Sequence, residues 1–376
     1  MLRLIHLADV HLGARLGSFG EAARDRGREI LEAFRSLPDV AARESADAVV
    51  IAGDLFDSPQ PAAAVAAAAA DTVRRLVAGG RPVFVVPGNH DSSLLHPNPW
   101  RDDLGGATVF RGPSFCAPVA VETRSGPLRV YGFSFDPASE PDPLATFRRD
   151  PGPGVHVAVL HGSVRDAPHW RSSPNVLRLT DESLRGLAVD YVALGDHHRF
   201  RPPGEAAAGS PACYSGSFAA GDFTETGPRG MVVVDLAPGA EPRVRLLGSG
   251  VAEVFDAGEL DVSRWENESA IVAALAARVP EGALPSVTLV GQPPWALDSD
   301  RVLAEATARF GAARVVDRTR HLSSAALDEI AVRDTVAGHV VRLGRRRADE
   351  AADDERGRRV ADRALRIALG ALEVCD

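Results

Sequence analysis

Five short apolar stretches in this chain each run directly into a cluster of aspartate, asparagine or histidine residues. The stretches are Leu2 to Ala8, Ala48 to Ala52, Val83 to Val86, Val155 to Leu160 and Tyr191 to Leu194. They are rich in valine, leucine and isoleucine and almost free of polar residues, which is typical of strands covered on both faces. In an open α/β sheet the ligand site lies beyond the carboxyl ends of the strands. We therefore expect the clusters to emerge into one crevice.

The clusters have the composition of metal ligands. They are Asp9-Val10-His11, Gly53-Asp54, Gly88-Asn89-His90-Asp91, His161-Gly162 and Gly195-Asp196-His197-His198. Each motif alone has an ordinary explanation as a turn, a surface pair or a core histidine. Their coincidence at the ends of apolar stretches indicates a metal site. Residues i and i+2 of a strand point to the same side, so Asp9 and His11 are expected to bind one ion together. Asp196 and His198 have the same spacing and can likewise bind one ion together.

The residue types indicate a particular chemistry. Carboxylate, imidazole and amide oxygen ligands suit manganese, iron, zinc or magnesium rather than soft metals. A carboxylate can bridge two ions about 3.5–4 Å apart, and such a pair holds the attacking and leaving oxygens of a phosphate ester. Asp54 lies between the two histidine-bearing halves of the sequence and is the best candidate for the bridge. The pattern therefore predicts a two-metal phosphoesterase.

Longer motifs resemble those of calcineurin-like metallophosphoesterases, and specifically those of the SbcD family. That family supplies the nuclease subunit of the bacterial SbcCD complex and is related to the eukaryotic double-strand-break repair nuclease. The resemblance is carried by Ile5-His6-Leu7-Ala8-Asp9-Val10-His11-Leu12-Gly13, Gly53-Asp54-Leu55-Phe56-Asp57, Pro87-Gly88-Asn89-His90-Asp91, Leu160-His161-Gly162, Ala193-Leu194-Gly195 and Tyr214-Ser215-Gly216-Ser217.

The resemblance implies a role for each motif residue. It implies a first metal held by Asp9, His11, Asp54 and His198, and a second held by Asp54, Asn89 and His161. His90 would lie over the phosphate and stabilise or protonate the leaving oxygen, because imidazole titrates near neutrality. Asp91 would orient His90, and capping of the next turn is an alternative role for it.

One position departs from the family pattern. Where the family usually has Gly-His-x-His, this chain has Gly195-Asp196-His197-His198. We expect Asp196 to bind the second metal, and an oxygen donor shifts the preference toward harder ions such as Mn²⁺ or Mg²⁺. Two alternatives remain open. His197 could turn inward instead, or the second metal could be weakly held and activity reduced.

The chain is predicted to divide into two domains. A calcineurin-like metallophosphoesterase (nuclease) domain is expected over residues 1–255 and a C-terminal domain over residues 265–376. The expected fold class is α/β, a two-sheet metallophosphoesterase sandwich flanked by helices with a smaller C-terminal α/β domain. The resemblance implies that the smaller domain caps the active site and binds a partner.

Several further elements follow from apolar periodicity. Gly230 to Asp235 and Val244 to Leu247 are expected to be strands that complete the second sheet. The other predictions are strands over Ser286 to Val290 and Ala313 to Val316, and helices over Ala62 to Ala70, Ser299 to Phe310, Ala325 to Arg347 and Glu355 to Glu373. In the last helix, Val360, Ala364, Ile367 and Ala371 share one face, which we expect to be core rather than a partner groove.

Composition favours an ordinary enzyme over a fibre, a membrane protein or a disordered chain. The 376 residues are 45% hydrophobic and 25% charged, and the longest alanine-rich run is too short to span a bilayer. The start of the chain does not have the pattern of a secretory signal. The three cysteines, Cys116, Cys213 and Cys375, have no metal-binding or disulfide spacing. We therefore expect a reducing, cytoplasmic location.

Charge bears on the substrate and partners. The net charge is −9, which disfavours nucleic acid, although bound cations would offset part of it. All 42 basic residues are arginines, so a phosphate-binding loop of the lysine type is excluded and any ATPase would be another subunit. The prediction is an SbcD-type DNA exonuclease or endonuclease with two divalent ions, Mn²⁺ being favoured, and an SMC-type coiled-coil ATPase partner. Homodimers are common in the family. The alternatives are a small-molecule phosphoesterase and a scaffold that has lost catalysis.

Overall fold

The chain forms two compact units. The structure is a computed structural model. It describes residues 1–92, 103–135, 144, 147–164, 176–293, 295, 297–319, 324–351 and 354–372. Contacts between residues divide the chain into Met1–Glu253 and Val254–Asp376. The predicted boundary lay between residues 255 and 265. The capping and partner-binding roles of the second unit stay predictions.

The first unit contains a six-stranded mixed sheet. Its strand order is β12-β11-β1-β2-β3-β4, in which β1 to β4 run parallel and β11 and its neighbour β12 pair antiparallel. The strands are β1 (Leu2–Leu7), β2 (Ala48–Ala52), β3 (Val83–Val86), β4 (Thr108–Val109), β11 (Gly230–Leu236) and β12 (Arg243–Gly248). The expectation that β11 and β12 complete the other sheet is wrong, because β11 pairs with β1.

A second sheet packs against the first. Its order is β10-β9-β7-β6-β5, with β8 paired to β7. The strands are β5 (Val119–Thr123), β6 (Gly126–Gly132), β7 (Val155–Val164), β8 (Leu177–Leu179), β9 (Tyr191–Gly195) and β10 (Ala212–Tyr214). Leu4 and Val50 of the first sheet share one buried core with Val157 and Ala193 of the second. The predicted two-sheet sandwich is confirmed.

Helices flank the sandwich. They are α1 (Ala23–Arg35), α2 (Leu37–Arg43), α3 (Ala63–Ala78) and the short α4 (Asp181–Gly186), with a 3₁₀ segment over Gly17–Ala22. The alanine-rich stretch predicted to be a helix is the first half of α3, which buries Val73 and Leu76. Because these helices cover the outer faces, the strands carry apolar residues on both sides.

The second unit is a smaller α/β structure. Its sheet is β13-β14-β15, formed by β13 (Val254–Asp261), β14 (Leu284–Val290) and β15 (Arg314–Asp317). The helices are α5 (Glu268–Ala276), α6 (Ser299–Phe310), α7 (Ser324–Ala331), α8 (Val336–Glu350) and α9 (Glu355–Ala371). The single helix predicted over Ala325 to Arg347 is therefore two helices. Thr335 separates them, and its side chain accepts a 3.1 Å hydrogen bond from Gly338 N as the cap of α8.

The apolar face predicted for the last helix is not core. Val360 and Ile367 are 61% and 55% exposed, and Ala364 is exposed as well. The side chain of Ala371, like Glu373, lies outside the described residues. Leu365 and Leu369 form the buried face instead and pack with residues of α7 and α8. Among the described residues, no helix has the length and apolarity needed to cross a bilayer.

Candidate metal centre

One half of the site is built on the loops that follow three parallel strands of the first sheet, and the other half comes from β7 and the loop after β9 in the second sheet. The three strands of the first sheet end at Leu7, Ala52 and Val86. Several backbone hydrogen bonds join the first two loops, among them those from Asp9 N to Gly53 O at 3.1 Å and from His11 N to Asp54 O at 3.0 Å. The motif residues of both loops are thereby fixed side by side.

Left-handed backbone turns, not strand alternation, direct the ligands. Positive φ angles occur at Asp9 (50°), His11 (48°), Asp54 (49°) and Asp196 (99°). Such angles are uncommon outside glycine, although Asp and His adopt them more often than most residues. Since β1 ends at Leu7 and β9 at Gly195, the expected i, i+2 alternation along a strand is wrong for both motifs. The side chains of Asp9 and His11 nevertheless converge.

One group of ligand atoms comes from three separate residues of two motifs. Atoms of Asp9, His11 and His198 all lie within 4.8 Å of one another. The two imidazoles approach most closely, with 3.4 Å between their Nε2 atoms. Asp54 Oδ2 lies 3.9 Å from His11 Nε2. These are the residues that the family resemblance implies as ligands of the first metal.

A second group lies around His161. Atoms of Asp9, Asp54 and His161 also lie within 4.8 Å of one another. His161 Nε2 is 3.4 Å from Asp54 Oδ2 and 2.9 Å from Asn89 Oδ1. Its Nδ1 donates to Ala52 O at 2.9 Å. Asp54 Oδ2 therefore lies within 4 Å of a histidine of each group, as a bridge would require, and Asp9 belongs to both groups. His161 itself lies within β7 rather than beyond its end, which differs from the expectation.

The departure at position 196 has a definite geometry. Asp196 Oδ1 lies 3.8 Å from His161 Nε2, and its Oδ2 accepts a hydrogen bond from Ser163 Oγ. The neighbouring His197 packs edge-on against Tyr214, with 4.6 Å between ring centroids. Neither Asp196 nor His197 belongs to the ligand groups found among the described residues, so the distance to His161 and the packing against Tyr214 distinguish them. The arrangement favours Asp196 over His197 as the side chain that faces the site.

His90 sits at the rim of the site. Its side chain is 48% exposed, whereas the side chains of Asp54 and His161 are almost fully buried. His90 N donates to Asp54 Oδ1 at 2.8 Å. The carboxylate nearest its ring is that of Asp57, with Oδ1 3.6 Å from His90 Nδ1 and 3.2 Å from His11 Nδ1. Sequence reasoning missed Asp57, although it closes the Gly-Asp-Leu-Phe-Asp motif.

The contacts of Asp91 are with backbone rather than with the His90 ring. Its carboxylate accepts hydrogen bonds from Gly88 N at 2.7 Å and Phe56 N at 3.1 Å. Asp91 is fully buried, and burial raises the pKa of its carboxyl to about 7. These bonds tie the loop after β2 to the loop after β3. They favour the turn-capping alternative, and a catalytic role for Asp91 stays a prediction.

Glu225 is a site residue that sequence reasoning missed. His198 Nδ1 donates a hydrogen bond to Glu225 Oε1, and Gly221 N donates to Oε2 at 2.8 Å. Metal-binding histidines commonly donate their second N–H to a carboxylate in this way. The motif closest to Glu225 in the sequence is the Tyr214-Ser215-Gly216-Ser217 turn. This turn lies beside the site, because Ser217 N donates a hydrogen bond to His198 O at 2.9 Å.

Comparison with known proteins decides the family. Residues 2–200, more than half of the chain, match the family described as calcineurin-like phosphoesterase. The chain belongs to that family. The resemblance to calcineurin-like metallophosphoesterases stated from the motifs is confirmed.

Three relatives are similar to this calcineurin-like phosphoesterase. The DNA double-strand break repair protein Mre11 of Haloferax volcanii is 31% identical over 249 residues, covering 64% of this chain and 51% of that protein. A subunit of the nuclease SbcCD of Bacillus subtilis is 29% identical over 291 residues, covering 66% and 70%. The uncharacterized metallophosphoesterase YhaO of Bacillus subtilis is 28% identical over 249 residues, covering 63% and 58%. The matches thus span about half to two thirds of the relatives' lengths.

The charges of the site fit divalent cations. Burial raises the pKa of Asp9 to about 6, although His198 and His161 oppose that shift. Burial lowers the pKa of His198, but Glu225 and Asp9 outweigh it and raise the value to about 9. The pKa of His161 is likewise raised, against burial, chiefly by Asp54. Among the described residues, no arginine forms an ion pair with Asp9 or Asp54. The buried carboxylates are therefore short of positive charge, which bound divalent cations would supply.

Proposed function

We propose that this phosphoesterase is a metal-dependent DNA phosphodiesterase of SbcD type, an exonuclease or endonuclease that acts in end processing and repair. The names of the relatives support this proposal, since one is a DNA double-strand break repair protein and another a nuclease subunit. Asp9, His11, Asp54 and His198 would hold one ion. Asp54, Asn89, His161 and Asp196 would hold the other. Mn²⁺ is the ion we expect, and Mg²⁺, Fe²⁺ or Zn²⁺ are alternatives.

The observation that carries the proposal is a pair of cavities that share His198 in their linings. A cavity of about 330 Å³ contains Asp9, His90 and Arg15 in its lining, and a second cavity of about 610 Å³ contains Arg199. His198 and Glu225 line both cavities. A phosphomonoester would need only one side of the metal centre. A polynucleotide has further phosphates on either side of the bond to be cleaved.

Two arginines are suited to bind those flanking phosphates. Arg15 and Arg199 are exposed, and neither forms an ion pair within the part of the chain that the structure describes. Guanidinium groups bind phosphate oxygens in a bidentate manner. They supply local positive charge to the cleft, which offsets the unfavourable net charge of the chain.

The protein side chains have distinct tasks in this proposal. When bound, two divalent ions would supply Lewis acidity toward the phosphate and lower the pKa of water near neutral pH. Asp54 fixes the two groups of ligands relative to each other, and Glu225 holds the ring of His198. His90 is exposed to the cavity and protonates the departing sugar oxygen. Asp57, close to His90 Nδ1, holds that ring in place.

An exposed apolar face in the second unit supports the proposal of an ATPase partner. Val360, Ala364 and Ile367 form an exposed apolar face on α9, and exposed apolar patches mark interaction sites. The printed name of the SbcCD relative makes it a subunit of a larger nuclease. We propose that α9 contacts a coiled-coil ATPase of the SMC type, and that the complex acts on DNA in the cytoplasm. Homodimer formation is part of the same proposal.

The test separates DNA from small substrates. Metal-free protein reloaded with Mn²⁺ would be assayed on linear double- and single-stranded DNA and, in parallel, on a nitrophenyl phosphodiester. We expect DNA cleavage that is lost in Asp54→Asn and His90→Ala. Arg199→Gln should weaken DNA cleavage and its salt dependence while turnover of the small ester is retained. Arg309→Gln, an exposed arginine of the second unit, is the control. Equal effects of Arg199→Gln on both substrates would contradict a polynucleotide cleft and favour a small-molecule phosphoesterase.

A further inference from the structure

The carboxylate of Asp196 and its backbone are held by three contacts. Ser163 Oγ donates a hydrogen bond to Oδ2, and the backbone N–H of Asp196 donates to both oxygens of Asp9 at 3.2 and 3.1 Å. Ser163 lies on β7 two residues beyond His161 and is 6% exposed. Since residues i and i+2 of a strand share a face, Ser163 and His161 approach Asp196 from the same side. The remaining oxygen, Oδ1, faces His161 Nε2 at 3.8 Å.

This separation suits two ligands of one ion. Oxygen and imidazole ligands lie about 2.0–2.2 Å from Mn²⁺, Mg²⁺ or Zn²⁺, so neighbouring ligand atoms are about 3–4 Å apart. The distances from His161 Nε2 to Asp54 Oδ2 (3.4 Å) and Asp196 Oδ1 (3.8 Å) both fall in that range. The backbone of Asp196 is strained, with φ at 99°. Strain of this kind persists only where the surroundings hold the residue in place.

The alternative ligand is held away from the site. His197 packs against the Tyr214 ring, and the Tyr214 hydroxyl is fixed by Val164 N at 3.0 Å and Gly162 O at 2.8 Å. Tyr214 is fully buried, so it has little room to move. A turn of His197 into the metal centre would break this packing. Of the described residues, Asp196 is therefore the side chain we assign to the position that histidine occupies in the family pattern.

We propose that Ser163 is a positioning residue that fixes Asp196 as an oxygen ligand of the second metal. The pair makes this second half-site, formed by the ligands of the second metal, selective for Mn²⁺ or Mg²⁺ over Zn²⁺. With Asp54, Asn89 and Asp196, that half-site has three oxygen donors and one nitrogen donor, His161. Oxygen donors suit harder ions, and imidazole suits zinc. The proposal rests on the ligand assignment of the proposed function but not on DNA as the substrate.

Metal binding without substrate tests the proposal. The titration would follow Mn²⁺ binding to metal-free protein by calorimetry and by electron paramagnetic resonance, with Zn²⁺ competition. We expect wild type to bind two Mn²⁺ ions. Ser163→Ala should lower the affinity for the second Mn²⁺ ion about 10–100-fold and leave the affinity for the first unchanged. This is the usual effect of removing a residue that supports a metal ligand. Ser163→Thr keeps the hydroxyl and should retain the affinity of the second ion.

A matched control separates positioning from packing. Ser210 is buried to the same extent as Ser163, and its hydroxyl has no hydrogen-bond partner among the described residues, so Ser210→Ala should leave both affinities unchanged. Asp196→His should shift the preference toward Zn²⁺ at least tenfold at the second ion only. Unchanged second-ion affinity in Ser163→Ala, or equal loss in Ser163→Thr, would overturn the proposal. Because no DNA is present, a failure of the proposed substrate would not affect this result.

Discussion

Gly53 tests whether close backbone packing sets the position of His161. A β-carbon added at Gly53 would lie 2.0 Å from His161 Nδ1 and 2.4 Å from its Cγ. Carbon and neighbouring heavy atoms pack best at about 3.5 Å, so the imidazole would have to retreat by about 1.5 Å. Gly53→Ala should therefore displace a ligand and break the hydrogen bond from His161 Nδ1 to Ala52 O.

The expected loss is large. Metal sites tolerate ligand displacements of about 0.2 Å, and a misplacement of about 1 Å in an active site costs roughly 100-fold in rate. Gly53 also has a φ of 92°, so any side chain there adds about 1–2 kcal/mol of backbone strain. We expect Gly53→Ala to lose at least about 100-fold in Mn²⁺ affinity and in phosphodiester hydrolysis, because both depend on the position of His161.

Gly204→Ala isolates the strain from the displacement. Gly204 has a φ of 89°, and an added β-carbon would meet nothing within 4 Å. The Gly204→Ala variant should lose about 1 kcal/mol of stability and keep the Mn²⁺ affinity of the wild type. Calorimetric titration of metal-free protein and hydrolysis of a nitrophenyl phosphodiester would compare both variants with wild type. Equal Mn²⁺ affinity in Gly53→Ala and Gly204→Ala would show that close packing at Gly53 does not set the position of His161.

Three further predictions follow from buried groups and from the second unit. Burial lowers the pKa of His6 to about 3, so below pH 6.5 the unfolded chain takes up a proton that the folded chain does not. The free energy of unfolding of the metal-free protein should fall as the pH is lowered from 6.5 to 3, by up to about 1.4 kcal/mol per pH unit. In His6→Leu, the unfolding free energy measured with urea should depend less steeply on pH. Glu225→Gln should weaken Mn²⁺ binding about 10-fold or more, because it loosens the ring of His198, whereas Glu205→Gln at the exposed surface should not. In α9, Leu369→Ala should cost about 2–5 kcal/mol of stability by thermal unfolding. Ile367→Ala should cost little stability. A loss of stability equal to that of Leu369→Ala would contradict the assignment of Ile367 to the exposed face.

Strands and ligands were predictable where the sequence pattern depends on local rules. The bounds of β2, β3 and α6 coincide with those predicted, because uniformly apolar runs and a capped amphipathic helix are unambiguous. The sheet that β11 joins depends on long-range pairing, which periodicity does not encode. In α9 the spacing of Val360 and Ile367 fits a helix face as well as that of Leu365 and Leu369 does, and only packing chooses between them.

The site was predicted in composition but not in detail. The ligand types at strand ends identified the residues that the fold brings together. The left-handed turns at Asp9 and Asp54 were not predicted, because neither residue is a glycine. Asp57 and Glu225 were missed for different reasons. Asp57 lay within a motif but had no role assigned, and Glu225 lies in a loop whose approach to His198 depends on tertiary structure. The break before α8 had a readable signal in Thr335, an N-cap residue ahead of an apolar run.

The left-handed residues of the metal centre have a consequence for the thermodynamics of the whole unit. Asp9, His11, Asp54 and Asp196 each occupy a backbone conformation that costs of order 1 kcal/mol outside glycine. Glycine at any of them would relieve that cost and remove a ligand at the same time. Selection for melting temperature alone would therefore favour sequences that erode the metal centre. Thermostable variants that keep their activity should be sought at positions away from these four turns.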